Sequence, residues 1–212
     1  MYDTAWQERD VLASWRAQGV SLRTVPPAVS PVSLELLKAQ SVIKITEDDL
    51  LAVHYLESAT AWVERYTGRA LIEQTWTLTL DAPPAYRAMG AILLPRVPVL
   101  SVTSVKSYSP TDVETAMSAV TDYAVDIASE PGRIVLRDGI AWPSGLRNHN
   151  GLVVTYKAGY GESGESVPID IRQAICLLAA HWYENREASI NTDLTEIPFG
   201  VQSLVDSYRT GV

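Results

Sequence analysis

The helix that ends at Gly68 and turns at once into a strand constrains the fold of this 212-residue chain most. Before the glycine, Leu56, Ala59 and Val63 recur every three or four residues, the spacing of one helix face. Glycine readily adopts the left-handed conformation that ends helices. From residue 71 onward apolar and polar residues alternate, which is typical of a half-buried strand. The sequence therefore predicts a helix that leads directly into a sheet.

A second amphipathic helix follows the strand-rich stretch. Pro168 suits the first turn of a helix, where its missing N–H costs nothing, and Ile171, Ile175 and Leu178 form an apolar stripe behind it. Adjacent strands with short connections favour a mostly antiparallel sheet. We predict an α+β fold: a helical bundle of two long amphipathic helices plus shorter ones, with an inserted, mostly antiparallel β-rich part of five or six strands. The predicted helices span residues 33–41, 47–67 and 168–187, and the β insertion spans residues 71–158.

The start of the helix near residue 47 carries a capping pattern. Thr46 and Asp49 have the spacing at which each side chain accepts a hydrogen bond from the other's backbone N–H. We therefore expect this pair to fix the start of the helix, where the positive helix end also favours carboxylates.

The two ends of the chain differ from its centre. Residues 1–31 are a predicted N-terminal extension or strap, because three prolines between positions 26 and 31 stiffen the backbone and forbid a helix. Trp6 and Trp15 on this extension are candidate docking residues, and packing back on their own domain explains them equally well. Residues 32–187 form the predicted main domain, and residues 188–212 form a C-terminal tail.

Composition excludes several classes of protein. The formal net charge of −8 disfavours tight wrapping of nucleic acid, which depends on lysine and arginine. An acidic wall instead lets a duplex slide past. No apolar run approaches the ~20 residues of a membrane span, and the N-terminus lacks the pattern of a signal peptide. We expect no membrane association, and a protein that is used in a cytoplasm or packed into a particle assembled there.

The chain shows no set of residues that predicts catalysis, a cofactor or a metal site. His54, His149 and His181 are scattered, without a second ligand at metal spacing. The glycine-rich stretch 159–164 lacks the lysine of a phosphate-binding loop. Cys176, the single cysteine, lies in an apolar helical pattern and is expected to be a small buried hydrophobe. We therefore predict that the protein is not an enzyme and uses no cofactor or metal.

Several short motifs follow one another in a definite order between residues 32 and 212. In chain order, they include Val63-Glu64-Arg65-Tyr66-Thr67-Gly68-Arg69-Ala70-Leu71-Ile72, Leu94-Pro95-Arg96-Val97-Pro98-Val99-Leu100, Val154-Thr155-Tyr156-Lys157-Ala158-Gly159-Tyr160-Gly161, His181-Trp182-Tyr183-Glu184-Asn185-Arg186-Glu187 and Ile197-Pro198-Phe199-Gly200-Val201. In this order they resemble the head–tail connector (adaptor) family of tailed bacteriophages, which has relatives in gene transfer agents.

The resemblance implies a structural virion protein of the neck. In this family the subunits form a ring, usually a dodecamer, that docks beneath the portal protein of a filled capsid. The ring continues the channel for double-stranded DNA towards a stopper or tail protein, without sequence-specific binding. Assembly takes place in the host cytoplasm, and residues 32–187 correspond to the connector domain.

The resemblance also implies roles for the ends of the chain. The C-terminal segment of the family reaches towards the portal, so we expect residues 188–212 to act as a docking tail. The docking candidates on it are Pro198, Phe199, Gly200, Val201 and Leu204. We further expect free subunits to stay monomeric or weakly associated until the portal is present, and a deletion from Glu196 onward to leave the fold intact while abolishing docking.

Three other functions stay open at this stage. A head completion (stopper) or tail-completion protein occupies the same neck, although stoppers tend to be smaller and richer in strands. A small cytoplasmic enzyme would need a convergent acid pair or metal set in a cleft. A protein-binding module would need only an exposed docking surface.

Overall fold

A computed structural model describes residues 19–83, 90–185 and 198–210, apart from the side chain of Phe199. These residues contain four α-helices and eight β-strands. The helices are α1 (Leu34–Gln40), α2 (Asp49–Thr67), α3 (Ile169–Glu184) and α4 (Phe199–Val205). The strands are β1 (Val20–Val25), β2 (Gln74–Leu80), β3 (Ile92–Leu93), β4 (Val99–Tyr108), β5 (Glu114–Met117), β6 (Tyr123–Asp126), β7 (Arg133–Leu136) and β8 (Leu152–Ala158).

The chain forms two compact units. The described part of the first, the β unit, comprises residues 19–26, 74–83 and 90–158, and that of the second, the helical unit, comprises residues 27–73, 159–185 and 198–210. The β unit thus interrupts the helical unit in sequence, which confirms the predicted α+β fold with an inserted β-rich part.

The β unit contains two antiparallel sheets. The larger has the strand order β1-β2-β8-β4-β5 and the smaller β3-β7-β6. Buried and half-buried residues alternate along both β2 and β8, because successive side chains of a strand point to opposite faces. Leu78 and Val154, paired across the two strands, are fully buried. The central strands therefore supply one apolar face to the core of this unit.

Two strands lie outside the sequence-based expectation. Residues 20–25, which the sequence placed in the N-terminal extension, form β1 and pair with β2 at an edge of the larger sheet. At the opposite edge, β5 pairs with residues 105–108 of β4. Pro26 and Pro27 follow β1 directly and end the strand. Residues 20–25 nevertheless pair with β2 and belong to the sheet.

The helical unit is built around α2 and α3. Both present buried residues at helical spacing, and α1 and α4 pack against them. The hydrophobic core of this unit includes Leu37, Leu56, Val63, Leu71, Ile171, Ile175, Leu178, Val201 and Val205. Full burial of each large apolar side chain contributes about 1.5–3 kcal/mol, so the four helices hold one another in place through this cluster.

Several helix ends lie at residues that the sequence marked as helix signals. Ser33 caps α1 by accepting a hydrogen bond from the backbone N–H of Leu36 at 3.2 Å. Gly68 ends α2 in the left-handed conformation, with φ of 74°. The helix after Pro168 runs from Ile169 to Glu184, and the predicted continuation to residue 187 lies outside the described residues.

The capping box expected at the start of α2 is wrong. The backbone N–H of Asp49 donates to the backbone carbonyl of Thr46, and no side chain caps the helix. The carboxylates are engaged by other helices instead: Asp49 accepts from Lys38 Nζ at 2.6 Å, and Asp48 accepts from the Tyr183 hydroxyl at 2.6 Å. Tertiary partners have replaced the local capping bonds that the spacing allowed.

Candidate partner-docking site

The predicted docking segment at the C-terminus begins with helix α4. Pro198 precedes the helix and is half-buried, whereas Gly200 is exposed. Val201 is only 1% exposed and belongs to the core of the helical unit, and Leu204 packs against that core. Val201 therefore attaches α4 to its own chain, so a partner would meet the other side of the helix.

The remaining docking candidates lie outside the described residues. This holds for Trp6 and Trp15 in the N-terminal extension and for the side chain of Phe199. Their docking role stays a prediction.

Beyond α4 the chain is latched onto the end of α2. The Tyr66 hydroxyl donates to the Asp206 carboxylate at 2.6 Å, and Arg69 Nε donates to the backbone carbonyl of Tyr208 at 2.6 Å. The backbone N–H of Thr210 donates to the carbonyl of Thr67 at 2.9 Å. We call residues 206–210 with these contacts the C-terminal latch.

The absence of a side chain at Gly68 lets the latch pack against the end of α2. Its left-handed φ of 74° suits glycine, and a side chain there would clash with the Thr210 hydroxyl. The glycine that ends α2 therefore also lets residue 210 approach the helix end, where Thr67 has a backbone carbonyl without a helical partner.

Aromatic and charged groups line the latch. The guanidinium of Arg209 lies 5.0 Å from the centre of the Tyr66 ring, and that of Arg69 lies 6.0 Å from the ring centres of both Tyr160 and Tyr208. Such cation–π contacts contribute about 0.5–1 kcal/mol at exposed sites. The latch is thus an amphipathic patch of tyrosine and arginine, residue types enriched at protein interfaces.

Both tyrosines of the latch have a raised pKa. The hydrogen bond to Asp206 raises the pKa of Tyr66, with burial and the carboxylate charge acting in the same direction. Burial raises the pKa of Tyr208, and the nearby Asp170 carboxylate adds to the effect. Both phenols remain hydrogen-bond donors to carboxylates around neutral pH.

The sequence reasoning missed an apolar corner between α1 and α2. Four large side chains there are exposed, by 46% to 87%: Leu36, Val42, Ile45 and Leu50. Lys38 joins α1 to the start of α2. Its Nζ donates to the carbonyl of Ile45 at 2.8 Å and forms an ion pair with Asp49. Three β-branched apolar residues in the four positions Val42-Ile43-Lys44-Ile45, just before a helix start, were the signal available in the sequence.

Val42 is also conformationally unusual. Its φ is 54°, a left-handed value that β-branched residues rarely adopt. Backbone outliers of this kind cost about 1–3 kcal/mol and tend to occur at functional sites. The α1–α2 corner (residues 36–50) is therefore a second candidate for docking.

Charge is divided unevenly between the two units. Among the described residues, the helical unit carries twelve acidic and six basic side chains, whereas the β unit carries seven of each. The acidic surplus of the described chain thus belongs to the helical unit, the unit that carries both docking candidates.

The described residues were also compared with the requirements of a metal site and of a membrane span. They contain no cluster of three or more His, Cys, Asp or Glu side chains arranged to bind a metal. Within the same residues, no helix is long and apolar enough to cross a bilayer. Cys176 is buried as predicted, and burial raises the pKa of its thiol.

The backbone of the glycine-rich stretch 159–164 is hydrogen-bonded to, and packed against, other segments of the same chain. The backbone N–H of Tyr160 donates to the carbonyl of Leu71 at 2.9 Å, and the carbonyl of Gly161 accepts from Glu73 at 2.8 Å. A side chain at Gly164 would meet the carbonyl of Pro31. The glycines here allow close packing of the backbone.

Comparison with known proteins identifies the family. A model of the head completion protein family matches residues 32–210. A search of curated protein sequences finds no match.

Solved structures with the same fold come from gene transfer agent particles. A chain from the neck of an empty particle, computed with C6 symmetry, is 25% identical, has a TM-score of 0.73, and aligns over 90% of this chain and 95% of its own length. A chain from the neck of a native particle, computed with C12 symmetry, is 29% identical, with a TM-score of 0.66 and coverage of 89% and 95%. A chain from a native virion is 24% identical with a TM-score of 0.74, covers the same shares as the first, and shows the fold alone.

These matches confirm the resemblance to neck proteins of tailed phages and gene transfer agents. The family model spans most of the chain, from Val32, just before α1, to the last residue of the C-terminal latch. The chain belongs to the head completion protein family.

Proposed function

We propose that this protein forms an adaptor ring in the neck of a phage or phage-like particle. The ring docks beneath the portal protein and continues the DNA channel towards a stopper or tail protein. Twelve copies close the ring on the portal, during assembly of the particle in the host cytoplasm. Membership of the family indicates a structural role in the neck. The position of the ring directly beneath the portal is the proposed part.

The observation that carries the proposal is the extent of the match to neck chains. Both units align with neck chains over about nine-tenths of this chain and 95% of theirs. One of those necks was computed with C12 symmetry, which supports a twelve-membered ring. A shared domain grafted onto another protein would match only one unit.

The helical unit is the proposed side that meets the portal. It carries the C-terminal latch, the exposed side of α4 around Gly200, and the α1–α2 corner. Its acidic surplus favours a partner with basic groups around an apolar contact. The N-terminal extension and the tail, with Trp6, Trp15 and Phe199, are proposed to add contacts as straps.

The net negative charge of the chain also suits a protein that surrounds a DNA channel. Exposed carboxylates repel the phosphate backbone, so a duplex passes without the counterion release that accompanies tight binding. We propose that double-stranded DNA moves through the ring without sequence-specific contacts.

Binding to the isolated portal tests the adaptor position. The full chain is mixed with the purified portal ring of its own particle and separated by size-exclusion chromatography with light scattering. An adaptor co-elutes with the portal in a fixed ratio, without further neck proteins. The lysine variant Leu50→Lys, at the α1–α2 corner, is expected to weaken this binding, with the exposed Thr111→Lys of the β unit as the matched control.

The description of the matching family favours a second candidate, a head completion or stopper protein. A stopper occupies the next ring, so it binds only after an adaptor has docked. Failure to bind the bare portal, followed by binding to a portal–adaptor complex, would therefore replace the adaptor proposal with the stopper.

A further inference from the structure

The strands at the two edges of the larger sheet of the β unit are β1 and β5. In the described part of the chain, no strand pairs with the outer side of β1 or of β5. Along an antiparallel edge strand, alternate backbone N–H and C=O groups point away from the sheet. Both edges therefore offer hydrogen-bonding groups to a further strand.

The β1 edge is poorly protected against pairing. Val20, Leu22 and Val25 are exposed by 61%, 62% and 53%, and the strand carries one charged residue, Arg23, and no proline. Natural proteins usually guard edges with charges, prolines or bulges. Here an irregularity follows Arg23, but residues 20–23 keep a regular register with β2. Residues 20–22 lie before both the charge and the irregularity, so this part of the edge can acquire a partner strand.

The two edges are compatible in direction. Each neighbouring pair in the order β1-β2-β8-β4-β5 is antiparallel, so β1 and β5 run the same way. A rotation that carries one copy to the next can therefore lay β5 of one copy beside β1 of its neighbour, as a parallel pair. Such a contact joins two different surfaces, and a ring of copies closes it without leaving either edge open.

Charge favours this unit for contacts between copies. The described β unit has seven acidic and seven basic side chains, so two β units approach without net repulsion. The helical unit, with twelve acidic and six basic side chains, repels a second copy of itself.

We propose that neighbouring subunits join through these edges, with β5 of one copy beside β1 of the next. The occupant of each edge is a second copy of this chain. The inference deepens the proposed function, because it rests on a ring of identical subunits in the neck.

Cysteine crosslinking in assembled particles tests the pairing. The double variant Leu22→Cys and Ala116→Cys places thiols on the two edges, at exposed positions of β1 and β5. A short bismaleimide should convert it into a ladder of covalent multimers on a denaturing gel. Each single variant should stay monomeric, because β1 meets β5 and not another β1. The buried Cys176 is left unchanged.

The crosslinking controls define the contrary results. The pair Leu50→Cys and Ala116→Cys, with one thiol in the helical unit, should give no ladder. A double edge variant that is present in particles but stays monomeric would overturn the inference, and so would dimers of Leu22→Cys alone. Absence of the wild-type chain from purified particles would overturn the proposed neck function. Presence in particles without crosslinking would overturn only the strand pairing.

A charge placed on the edge gives a second readout. Leu22→Lys should leave the melting temperature of the free chain unchanged, because the side chain is already exposed, and should lower incorporation into particles at least tenfold. Val29→Lys, at an exposed position of the helical unit, should incorporate like the wild type. Normal incorporation of Leu22→Lys, or equal loss in both variants, would contradict the assignment to the strand edge.

Discussion

At the residue scale, Asp126 shows how one carboxylate organises a turn of the β unit. It accepts hydrogen bonds from the backbone N–H groups of Ala128 and Ser129, from the Ser129 hydroxyl at 2.7 Å and from Arg133 Nε at 2.8 Å. The Ser129 hydroxyl and the Arg133 guanidinium are the main causes that lower the pKa of Asp126 from 3.8 to about 2. The ionised carboxylate thus holds the connection between β6 and β7.

We predict that Asp126→Asn lowers the melting temperature at neutral pH. Because the pKa is lower in the folded chain than in the unfolded chain, the carboxylate stabilises the fold above pH 3.8. This contribution is lost as the pH falls towards about 2. Melting curves of both proteins should therefore differ at pH 6 and converge near pH 2. The exposed Asp138→Asn is the matched control, and a gap that does not shrink with acid would contradict the prediction.

A substitution at Gly200 tests the contribution of α4 to stability and to docking by two separate measurements. The residue is exposed, and an added Cβ would meet no atom within 4 Å. Gly200→Ala should therefore stabilise the chain by about 0.5–1 kcal/mol, because alanine loses less backbone entropy in a helix. Urea unfolding measures this gain. If Gly200 contacts the portal as proposed, the same variant should bind the portal more weakly, whereas unchanged binding would remove this residue from the docking site.

At the scale of elements, α4 is part of the helical core. Val201 and Val205 are at most 1% exposed, and the residues that follow are latched onto α2. The expectation that a deletion from Glu196 leaves the fold intact therefore needs correction. Such a deletion removes two buried side chains and uncovers the apolar surface of their neighbours.

We predict that Val205→Ala costs about 2 kcal/mol of unfolding free energy, because it leaves a cavity in the core. Ser203→Ala, at an exposed position of the same helix, should change the stability by less than about 0.5 kcal/mol. Urea unfolding of both variants measures the difference. Equal stability of the two would show that α4 does not belong to the folded core.

The elements also show what the sequence could predict. The long helices were predictable because Leu56, Ala59 and Val63 repeat at helical spacing and Gly68 marks the end. β1 alternates in apolar residues, but the prolines after it favoured a strap. β5 has four mostly exposed residues and gives almost no apolar signal. Edge strands depend on their neighbours in the sheet, which local patterns do not reveal.

The candidate site was predictable only in part. The sequence and the family resemblance pointed to Pro198–Leu204, but not to the burial of Val201, which depends on the packing of α4. Nor did they predict the bonds from Tyr66 and Arg69 to the latch, which join residues 139 or 140 positions apart. Contacts of such sequence separation follow from the three-dimensional fold.

At the scale of the whole molecule, the protein is a subunit for a repeated assembly. Among the described residues, the β unit has equal numbers of acidic and basic side chains and two sheet edges without a partner strand, whereas the helical unit is acidic and carries the candidate docking surfaces. One edge contact offers only a few backbone hydrogen bonds, each with a net value of about 1 kcal/mol. A single contact between copies is therefore too weak to last in dilute solution.

We predict that the purified full-length chain is monomeric at micromolar concentration, and that rings form only with the portal. Size-exclusion chromatography with light scattering should give a mass close to 23.2 kDa. A stable ring of the isolated chain would contradict this expectation.

Cryo-electron microscopy of the neck in purified particles tests the proposed adaptor ring. We expect twelve copies of this fold in one ring, in direct contact with the portal. A neck without density for this chain, or with its ring separated from the portal by another protein, would show that the chain is not the adaptor.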